Sequence, residues 1–445
     1  MSSNKNKKYW KNLAELNPVN NSALESLGQK EFIEEIPVDE FLGDDKNLSN
    51  SSTSRRDFLK FVGFSTAAAS LAACEGPVIK SIPYVVQPEQ IIPGIANYYA
   101  TTIANGYDFA NVLIKTREGR PIKVELNKLA PISASANARV QASVLDLYDS
   151  FRLAKPLKNQ VESSWTEFDS DTKKKLNSLK NSSKSIVLLT QTFASPSTHK
   201  LINEFKKNYS NAKHVVYDSV SESAALDAYE AMFGSRGLPN YDFSLADLII
   251  SIGADILGDW QGGGFDSKYG KSRIPTSGKM SRHVHFEANM SLTGANSDNR
   301  YPVNQNEQKL VLLSIYSKLF NTPVDINISD KLVKVVNGLM KELLESNNPV
   351  VISGIQDVEY QSLVLDINQR LNSNAFQPEK TILTRQGNDK EVAELIKDMN
   401  DGKVGAIIMA GVNPVYTLSN SNDFIEGLKK TEMSVLFSMK NDETA

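Results

Sequence analysis

Short apolar runs alternate with amphipathic stretches from about Trp165 to the end of the chain. The apolar runs include SIVLLTQ, DLIISIG, PVVISG and GAIIMAG, and between them apolar residues recur at helical spacing. Continuous apolar strands alternating with amphipathic helices are typical of parallel sheets that helices cover on both faces. The pattern therefore predicts an α/β fold built from doubly wound parallel sheets.

The helical periodicity also gives approximate bounds for individual elements. Helices are predicted over residues 165–179, 196–208, 224–232, 360–371 and 424–429. The chain is long enough for more than one hydrophobic core. We expect a first α/β lobe over residues 165–303 and a second over residues 304–445.

The residues before Trp165 follow other patterns. Within residues 99–164, the segments TTIANG, NVLIKT and PIKVEL, with a turn at Glu118-Gly119, predict a small β meander. Residues 75–98 contain four prolines, which favour an extended strap along a surface. Residues 1–53 form a polar extension. Helical spacing occurs at KKYWKNLAEL and SALESLGQKEFIEEI, and the rest has too little apolar surface to order itself.

Residues 54–74 combine a short basic segment with an apolar run. Arg55 and Arg56 are followed by Phe58, Leu59 and Lys60 and then by an uncharged stretch over residues 61–73. The stretch is about a dozen residues long, too short for a hydrocarbon core that needs roughly 20. This order matches the twin-arginine signal for export across the membrane. We expect Arg55, Arg56, Phe58 and Leu59 to form an export signal, and an ordinary amphipathic helix is the alternative.

Cys74, the single cysteine of the chain, closes that run in the sequence LAAC. The sequence resembles the lipobox of bacterial lipoproteins, in which the cysteine thiol receives a diacylglyceryl group. Two or more acyl chains hold a protein stably at a membrane, whereas one binds only marginally. We expect lipidation of Cys74 and a location at the periplasmic face of the cytoplasmic membrane. A buried, unmodified cysteine is the alternative.

Composition restricts the possible chemistry. The 445 residues carry a formal net charge of −3, which gives no electrostatic case for binding nucleic acid. One cysteine excludes an intrachain disulfide and an iron–sulfur cluster held by thiolates of this segment. The four histidines are too scattered to predict a zinc site. We therefore predict neither a metal site nor a catalytic residue here.

Loops that follow strands are the places where open α/β sheets bind ligands. The loops to consider here follow Gly253, Gly354 and Gly411, and the first of them contains three consecutive glycines, Gly262, Gly263 and Gly264. These glycines are candidates for cofactor binding. The loops lack GxGxxG and a Walker lysine, and close backbone packing is the ordinary alternative.

Two polar groups near these loops allow more than one interpretation. His283 and His285 would point to the same face of a strand and could bind a metal together with Glu287. A solvated or hydrogen-bonded pair is the favoured interpretation. Asp255 and Asp259 are interpreted as loop caps and not as a paired acid and base.

Several sequence blocks resemble the molybdopterin oxidoreductase superfamily: ADLIISIGAD, HFEANMSLTGANSDNRYPV, VLDLYDSFRL, KTREGRPIKVELN and IIMAGVNPVYTL. More closely, they resemble the large iron–sulfur subunit of bacterial alternative complex III, whose members carry a twin-arginine signal behind a long N-terminal extension. The resemblance covers nearly the whole chain. It implies a molybdopterin-like domain without the molybdenum cofactor, followed by a ferredoxin-like domain that holds iron–sulfur clusters.

The resemblance also implies a role and partners. We expect this segment to be a cofactor-free scaffold in a quinol-oxidising complex that delivers electrons to cytochrome c or an oxidase. Its partners would be the membrane quinol-oxidising subunits, the c-type cytochrome subunits and the membrane itself through the lipid anchor. The resemblance implies that the iron–sulfur clusters would lie in a further C-terminal domain. The sequence stops directly after a predicted strand, and we expect it to be part of a longer subunit.

Two alternatives belong to other classes of protein. One is an active molybdenum enzyme that holds a bis-pterin cofactor through backbone and glycine-loop contacts. The other is an exported binding protein that retains the superfamily fold.

Overall fold

The computed structural model describes residues 92, 94–105, 108–130, 136–275, 278 and 280–445. The described residues divide into two units: residues 92, 94–99 and 115–121 belong to the first, and the rest belong to the second. Five residues with predicted roles lie outside the described residues: Arg55, Arg56, Phe58, Leu59 and Cys74. The polar extension lies outside them as well.

The described strands are mostly short and lie between helices. In chain order they are β1 (Asn97–Asn105), β2 (Asp108–Arg117), β3 (Arg120–Leu126), β4 (Leu157–Lys158), β5 (Val161–Glu162), β6 (Ser185–Thr190), β7 (Ala212–Val216), β8 (Leu238–Tyr241), β9 (Leu248–Ile252), β10 (Arg282–Glu287), β11 (Asn299–Pro302), β12 (Pro349–Ser353), β13 (Phe376–Ile382), β14 (Val404–Ala410) and β15 (Met433–Phe437).

The described helices range from a single turn to about four turns. They are α1 (Ala138–Ala142), α2 (Trp165–Leu179), α3 (Pro196–Asn208), α4 (Ser223–Phe233), α5 (Asp266–Ser272), α6 (Leu292–Asn296), α7 (Gln305–Phe320), α8 (Asp330–Glu345), α9 (Val358–Leu371), α10 (Asp389–Asn400), α11 (Pro414–Thr417) and α12 (Ser421–Lys430). Short 3₁₀ helices cover Ser143–Leu147, Phe243–Leu245 and Trp260–Gly262. Across the described part of the chain, none of these helices has the length and apolarity needed to cross a membrane.

The first three strands form the predicted meander, in the order β1-β2-β3. Glu118 and Gly119 connect β2 to β3 with φ angles of 50° and 76°, and positive φ at both residues suits a tight two-residue hairpin turn. Val112 of β2 and Val124 of β3 are buried in a small core with Val140 of α1. The strand prediction for this region is confirmed.

Two four-stranded parallel sheets form the body. The first has the order β15-β14-β6-β7 and the second β11-β10-β9-β12. Each sheet takes strands from both sides of Val303, because the chain leaves the first sheet after β7, completes the second with β12 and returns with β14. A border at Val303 therefore does not separate one sheet from the other. The predicted domain bounds stay a prediction.

The central strand β9 shows why continuous apolar runs predict buried parallel strands. All five of its residues are buried. Ile250 and Ile252 pack into one core with Phe286, whereas Ile249 packs into a second core that contains Trp260. Since helices and loops cover both faces of the sheet, no alternation with polar residues is needed. The predicted α/β class is confirmed.

The helix bounds follow from capping groups. The helices α2 and α3 have the predicted bounds, and the hydroxyl groups of Ser164 and Ser195 accept hydrogen bonds from backbone N–H groups in their first turns. The helices α4, α9 and α12 begin one to three residues earlier than predicted. Their first turns include polar residues, which add nothing to an apolar periodicity.

Candidate functional site

A cavity of about 480 Å³ lies at the carboxyl ends of β9, β10 and β12, beside the first turn of α7. Its described lining includes the polar residues Asp255, Glu287, Asn289, Gln305, Gln308 and Lys309. This is the edge at which open α/β sheets bind ligands. Two of the three predicted loops, those after Gly253 and Gly354, meet there.

Gly253 and Gly354 bring the ends of two neighbouring strands into contact. A Cβ atom on Gly354 would lie 2.1 Å from the carbonyl oxygen of Gly253, a separation that real atoms do not adopt. Gly253 has a φ of +66°, in the left-handed region that favours glycine. Gly411 ends β14 in the other sheet, where it packs against the side chain of Gln191.

The glycine run does not reach the cavity lining. Gly262, Gly263 and Gly264 all have positive φ, and a Cβ atom on Gly262 would lie 2.8 Å from Nη2 of Arg385. The guanidinium of Arg385, a residue only 1% exposed, occupies the space beside this loop. The glycines therefore allow close packing against Arg385, and cofactor binding by this loop stays a prediction.

Two acidic residues of the same loop stabilise it. Asp255 Oδ1 accepts hydrogen bonds from the backbone N–H and the hydroxyl of Thr293, at 3.1 and 2.6 Å, and so connects the loop to α6. Asp259 pairs with Arg139, and this hydrogen bond lowers the pKa of the Asp259 carboxyl. The Arg139 guanidinium also donates to Asp108 of β2. Both aspartates therefore have structural partners.

His283 and His285 form a buried hydrogen-bonded pair through one hydroxyl group. Ser251 Oγ lies 2.7 Å from Nε2 of His283 and 2.5 Å from Nδ1 of His285. Nε2 of His285 in turn lies 2.9 Å from Glu287 Oε2. The hydrogen-bonded interpretation of the pair is confirmed. Within the described residues, no group of three or more His, Cys, Asp or Glu side chains is placed to hold a metal ion.

Burial determines the protonation of this group. It lowers the pKa of His283 to about 3 and also lowers the pKa of His285, so both imidazoles are neutral near pH 7. Burial alone would raise the pKa of Glu287, but hydrogen bonds from Ser291 and Arg300 outweigh it and the pKa is lowered. Glu287 is therefore an ionised carboxylate at the edge of the cavity.

Several of these contacts have no signal in the sequence. Arg385 follows β13 in a loop of ordinary composition, and nothing in the sequence places it beside Gly262. The carboxylate of Glu222 accepts a hydrogen bond from the backbone N–H of Gln261, and burial raises its pKa. Such contacts join residues more than thirty positions apart, which periodicity and motif spacing do not connect.

Comparison with known proteins agrees with this architecture. No family model matches the chain. The menaquinone reductase, molybdopterin-binding-like subunit, of Nitratidesulfovibrio vulgaris (strain Hildenborough) is 22% identical over 447 residues, which cover 88% of this chain and 64% of that protein. The chain thus spans about 64% of the length of this curated relative.

Among solved structures, acetylene hydratase from Pelobacter acetylenicus matches with a TM-score of 0.57 at 9% identity, covering 76% of this chain and 60% of that one. The fold is therefore of the molybdopterin oxidoreductase type, as the sequence blocks predicted.

The cavity residues do not fit the pyrophosphate of a pterin dinucleotide. Such a group is held by cations and by unsatisfied backbone N–H groups. Lys309 is the positively charged residue among those described in the lining, and its Nζ already pairs with Asp357 at 2.9 Å. A capping box at Asn304 pairs the backbone N–H groups of Asn304 and Glu307 at the start of α7, and the carboxylates of Asp255 and Glu287 face the same space.

Proposed function

We propose that this chain is the molybdopterin oxidoreductase-like part of a subunit in a membrane complex that exchanges electrons with a quinone. The fold and the name of the curated relative, a menaquinone reductase subunit, support this role. In the finer form of the proposal the complex is alternative complex III. Its iron–sulfur clusters lie in a further domain, and its c-type cytochrome subunits receive the electrons.

The role of the described body in this proposal is that of a scaffold without a bound pterin. One observation carries it: the polar groups at the strand ends are hydrogen-bonded to one another. Asp255 holds Thr293, Glu287 holds Arg300 and Lys309 holds Asp357. A ligand that displaced Arg300 from Glu287 would leave a buried carboxylate unpaired, which costs free energy.

The location belongs to the same proposal. The protein is exported through the signal at Arg55 and Arg56 and held at the periplasmic face of the cytoplasmic membrane by lipid on Cys74. The export signal and the lipobox of the sequence support this location.

Metal and pterin content of the native complex test the scaffold role. The full-length protein is purified within its complex, and molybdenum and pterin are measured per chain. A periplasmic molybdenum enzyme prepared in parallel serves as a control for metal loss. We expect far less than one molybdenum per chain, and stoichiometric molybdenum with pterin would establish the active enzyme instead.

Quinol-dependent reduction of a c-type cytochrome by the same preparation tests the electron-transfer role. We expect this activity in the intact complex. A chain that purifies without quinone-reactive or cytochrome subunits would contradict it and favour the exported binding protein.

A further inference from the structure

A continuous chain of side-chain hydrogen bonds runs through the interior beside β9 and β10. Tyr269 Oη lies 3.0 Å from Nδ1 of His283, whose Nε2 contacts Ser251 Oγ at 2.7 Å. The same oxygen contacts Nδ1 of His285 at 2.5 Å, and the chain ends at Glu287 Oε2, 2.9 Å from Nε2 of His285. All five residues are buried, with at most 4% exposure.

The sequence places three of these residues in register. Positions 283, 285 and 287 alternate along β10, so their side chains share one face of the strand. Ser251 of β9 pairs with His285 in the parallel register, which sets its hydroxyl group beside that face. Tyr269 reaches it from α5. The line of polar groups therefore follows from ordinary strand geometry.

The ionised carboxylate at one end determines the direction of every hydrogen bond. Because Glu287 only accepts, Nε2 of His285 must carry a hydrogen, and Nδ1 of this neutral imidazole must accept from Ser251. The hydroxyl of Ser251 then accepts from Nε2 of His283. Nδ1 of His283 is left to accept from Tyr269 at 3.0 Å, and the carbonyl oxygen of Asn296, 3.2 Å away, is a second acceptor for the same hydroxyl. All donors therefore point from the phenol toward the cavity.

We propose that Tyr269 is a redox-active tyrosine whose oxidation is coupled to proton transfer along this chain to Glu287. The phenol gives one electron to a strong one-electron oxidant and its proton to Nδ1 of His283. Each following group passes on one proton: Nε2 of His283 to Ser251, Ser251 to Nδ1 of His285, and Nε2 of His285 to Glu287. The products are a neutral tyrosyl radical, two imidazoles in the opposite tautomer and a neutral Glu287 carboxyl.

The physical reason is the acidity of an oxidised phenol. A phenol that has lost an electron is a strong acid, and in a dry interior a separated charge is costly unless a base takes the proton. The series of hydrogen-bonded side chains supplies that base without moving any heavy atom far. It also ends at a cavity-lining carboxylate, so the proton neutralises a negative charge and no imidazole is left positively charged.

The chemical class of the oxidant follows from the same chemistry. Phenols are oxidised only by strong oxidants, such as the radicals formed from oxygen, and not by the carriers that accept electrons from quinols. The tyrosine would thus intercept damaging oxidants that extract an electron from the interior of the protein. This role goes beyond the proposed quinone-linked function and does not depend on it.

A catalytic serine is not an alternative explanation of the same residues. Ser251, His285 and Glu287 have the side chains of a hydrolase triad, but Ser251 is 0% exposed in the middle of β9. A nucleophile must reach its substrate. The Ser251 hydroxyl therefore serves to connect the two imidazoles by hydrogen bonds.

Flash oxidation of the purified full-length protein with photogenerated tris(bipyridine)ruthenium(III) tests the proposal. Tyrosyl radicals are followed by freeze-quench electron paramagnetic resonance. We expect a long-lived radical that is lost in Tyr269→Phe. The matched control is Tyr229→Phe, because Tyr229 is also buried but its hydroxyl bonds Pro378 and Thr381 and no imidazole. Equal radical yields in all three proteins would overturn the proposal.

The proton acceptor is tested separately. Glu287→Gln keeps the shape of the side chain but removes the anionic base, and loss of a positioned base slows proton transfer by about 100-fold or more. We expect formation of the Tyr269 radical to slow correspondingly. An unchanged rate would show that the chain is only structural.

The direction of the hydrogen bonds can be tested without any variant. The protein has four histidines, so selective ¹⁵N labelling gives a simple imidazole spectrum. We expect His283 and His285 both to carry their hydrogen on Nε2 at pH 7. A hydrogen on Nδ1 of either ring would contradict the proposed direction of proton transfer.

Discussion

At the scale of single residues, two glycines determine how closely the strand ends meet at the cavity. The backbone of Gly354 lies against the carbonyl of Gly253, and no side chain fits between them. The sequence shows the two glycines at the ends of apolar runs, but only the pairing of β9 with β12 shows why both are needed.

Gly354→Ala therefore forces a backbone shift. We expect a loss of stability of about 1–3 kcal/mol, as for other substitutions that overpack a rigid site. The matched control is Gly338→Ala, whose added methyl meets nothing within 4 Å on the exposed face of α8. That change should stabilise by roughly 0.5–1 kcal/mol. Urea unfolding of both variants measures the difference, and equal effects would refute the packing explanation.

His283 makes the fold sensitive to acid. Burial lowers its pKa from 6.5 to about 3, so between these values the unfolded chain binds a proton that the folded protein does not. The contribution of His283 to the free energy of unfolding is complete above about pH 6.5. It is lost as the pH falls toward 3, by up to about 1.4 kcal/mol per pH unit. His214, with a pKa that burial lowers to about 4, acts in the same direction.

The urea midpoint measured between pH 7.5 and 4.5 checks this. We expect it to fall steadily below pH 6.5. A midpoint that stays constant over this range would show that His283 is accessible to solvent protons in the folded state.

At the scale of elements, Arg139 connects α1 to two distant segments. Its guanidinium donates to Asp108 at the start of β2 and, in a bidentate pair at 2.7 and 2.9 Å, to Asp259. Asp259 precedes the 3₁₀ helix that leads into the glycine run. One side chain thereby stabilises the loop that packs on Arg385.

Arg139→Ala should loosen this loop more than it lowers global stability. The guanidinium is 43% exposed, so solvent screening limits the loss to about 1 kcal/mol. Hydrogen exchange of the backbone N–H groups in residues 256–264 should accelerate, whereas the strand β9 stays protected. Lys429→Ala, which removes an exposed i,i+3 pair with Glu426, serves as the control and should change neither.

The sequence predicts the helices and strands themselves better than it predicts which of them pack together. The bounds of α2 and α3 and the strands around DLIISIG and GAIIMAG could be predicted, because periodicity and serine caps are local signals. The pairing of β6 with β14 could not be predicted, because the strands of the second sheet lie between them in the sequence. The cavity edge was predictable from the strand ends, but the contacts of Arg385, Glu222 and Tyr269 depend on tertiary packing.

At the scale of the whole molecule, the export and anchoring proposal gives a direct prediction. Replacing Arg55 and Arg56 with lysine should hold the precursor in the cytoplasm, because the twin-arginine route requires that pair. Fractionation with an antibody against the folded body measures this. Unchanged export would refute the twin-arginine route.

The anchor is tested by a second change. Cys74→Ser removes the acyl acceptor and should release the exported body from membranes into the periplasm. Mass spectrometry of the native protein should find no peptide from residues 1–73. Detecting those residues on the assembled complex would contradict cleavage before Cys74.

The return of the chain from the second sheet to the first also has a consequence for synthesis. The strands β6 and β7 emerge from the ribosome early, yet β14, which covers the open side of β6, follows roughly 200 residues later. At about 5–20 residues per second, β6 waits some 10–40 seconds with the backbone N–H and C=O groups of one edge unpaired. Meanwhile all four strands of the second sheet have been synthesised and can pair. The nascent protein therefore passes through a half-built stage in which a chaperone has a defined strand to protect.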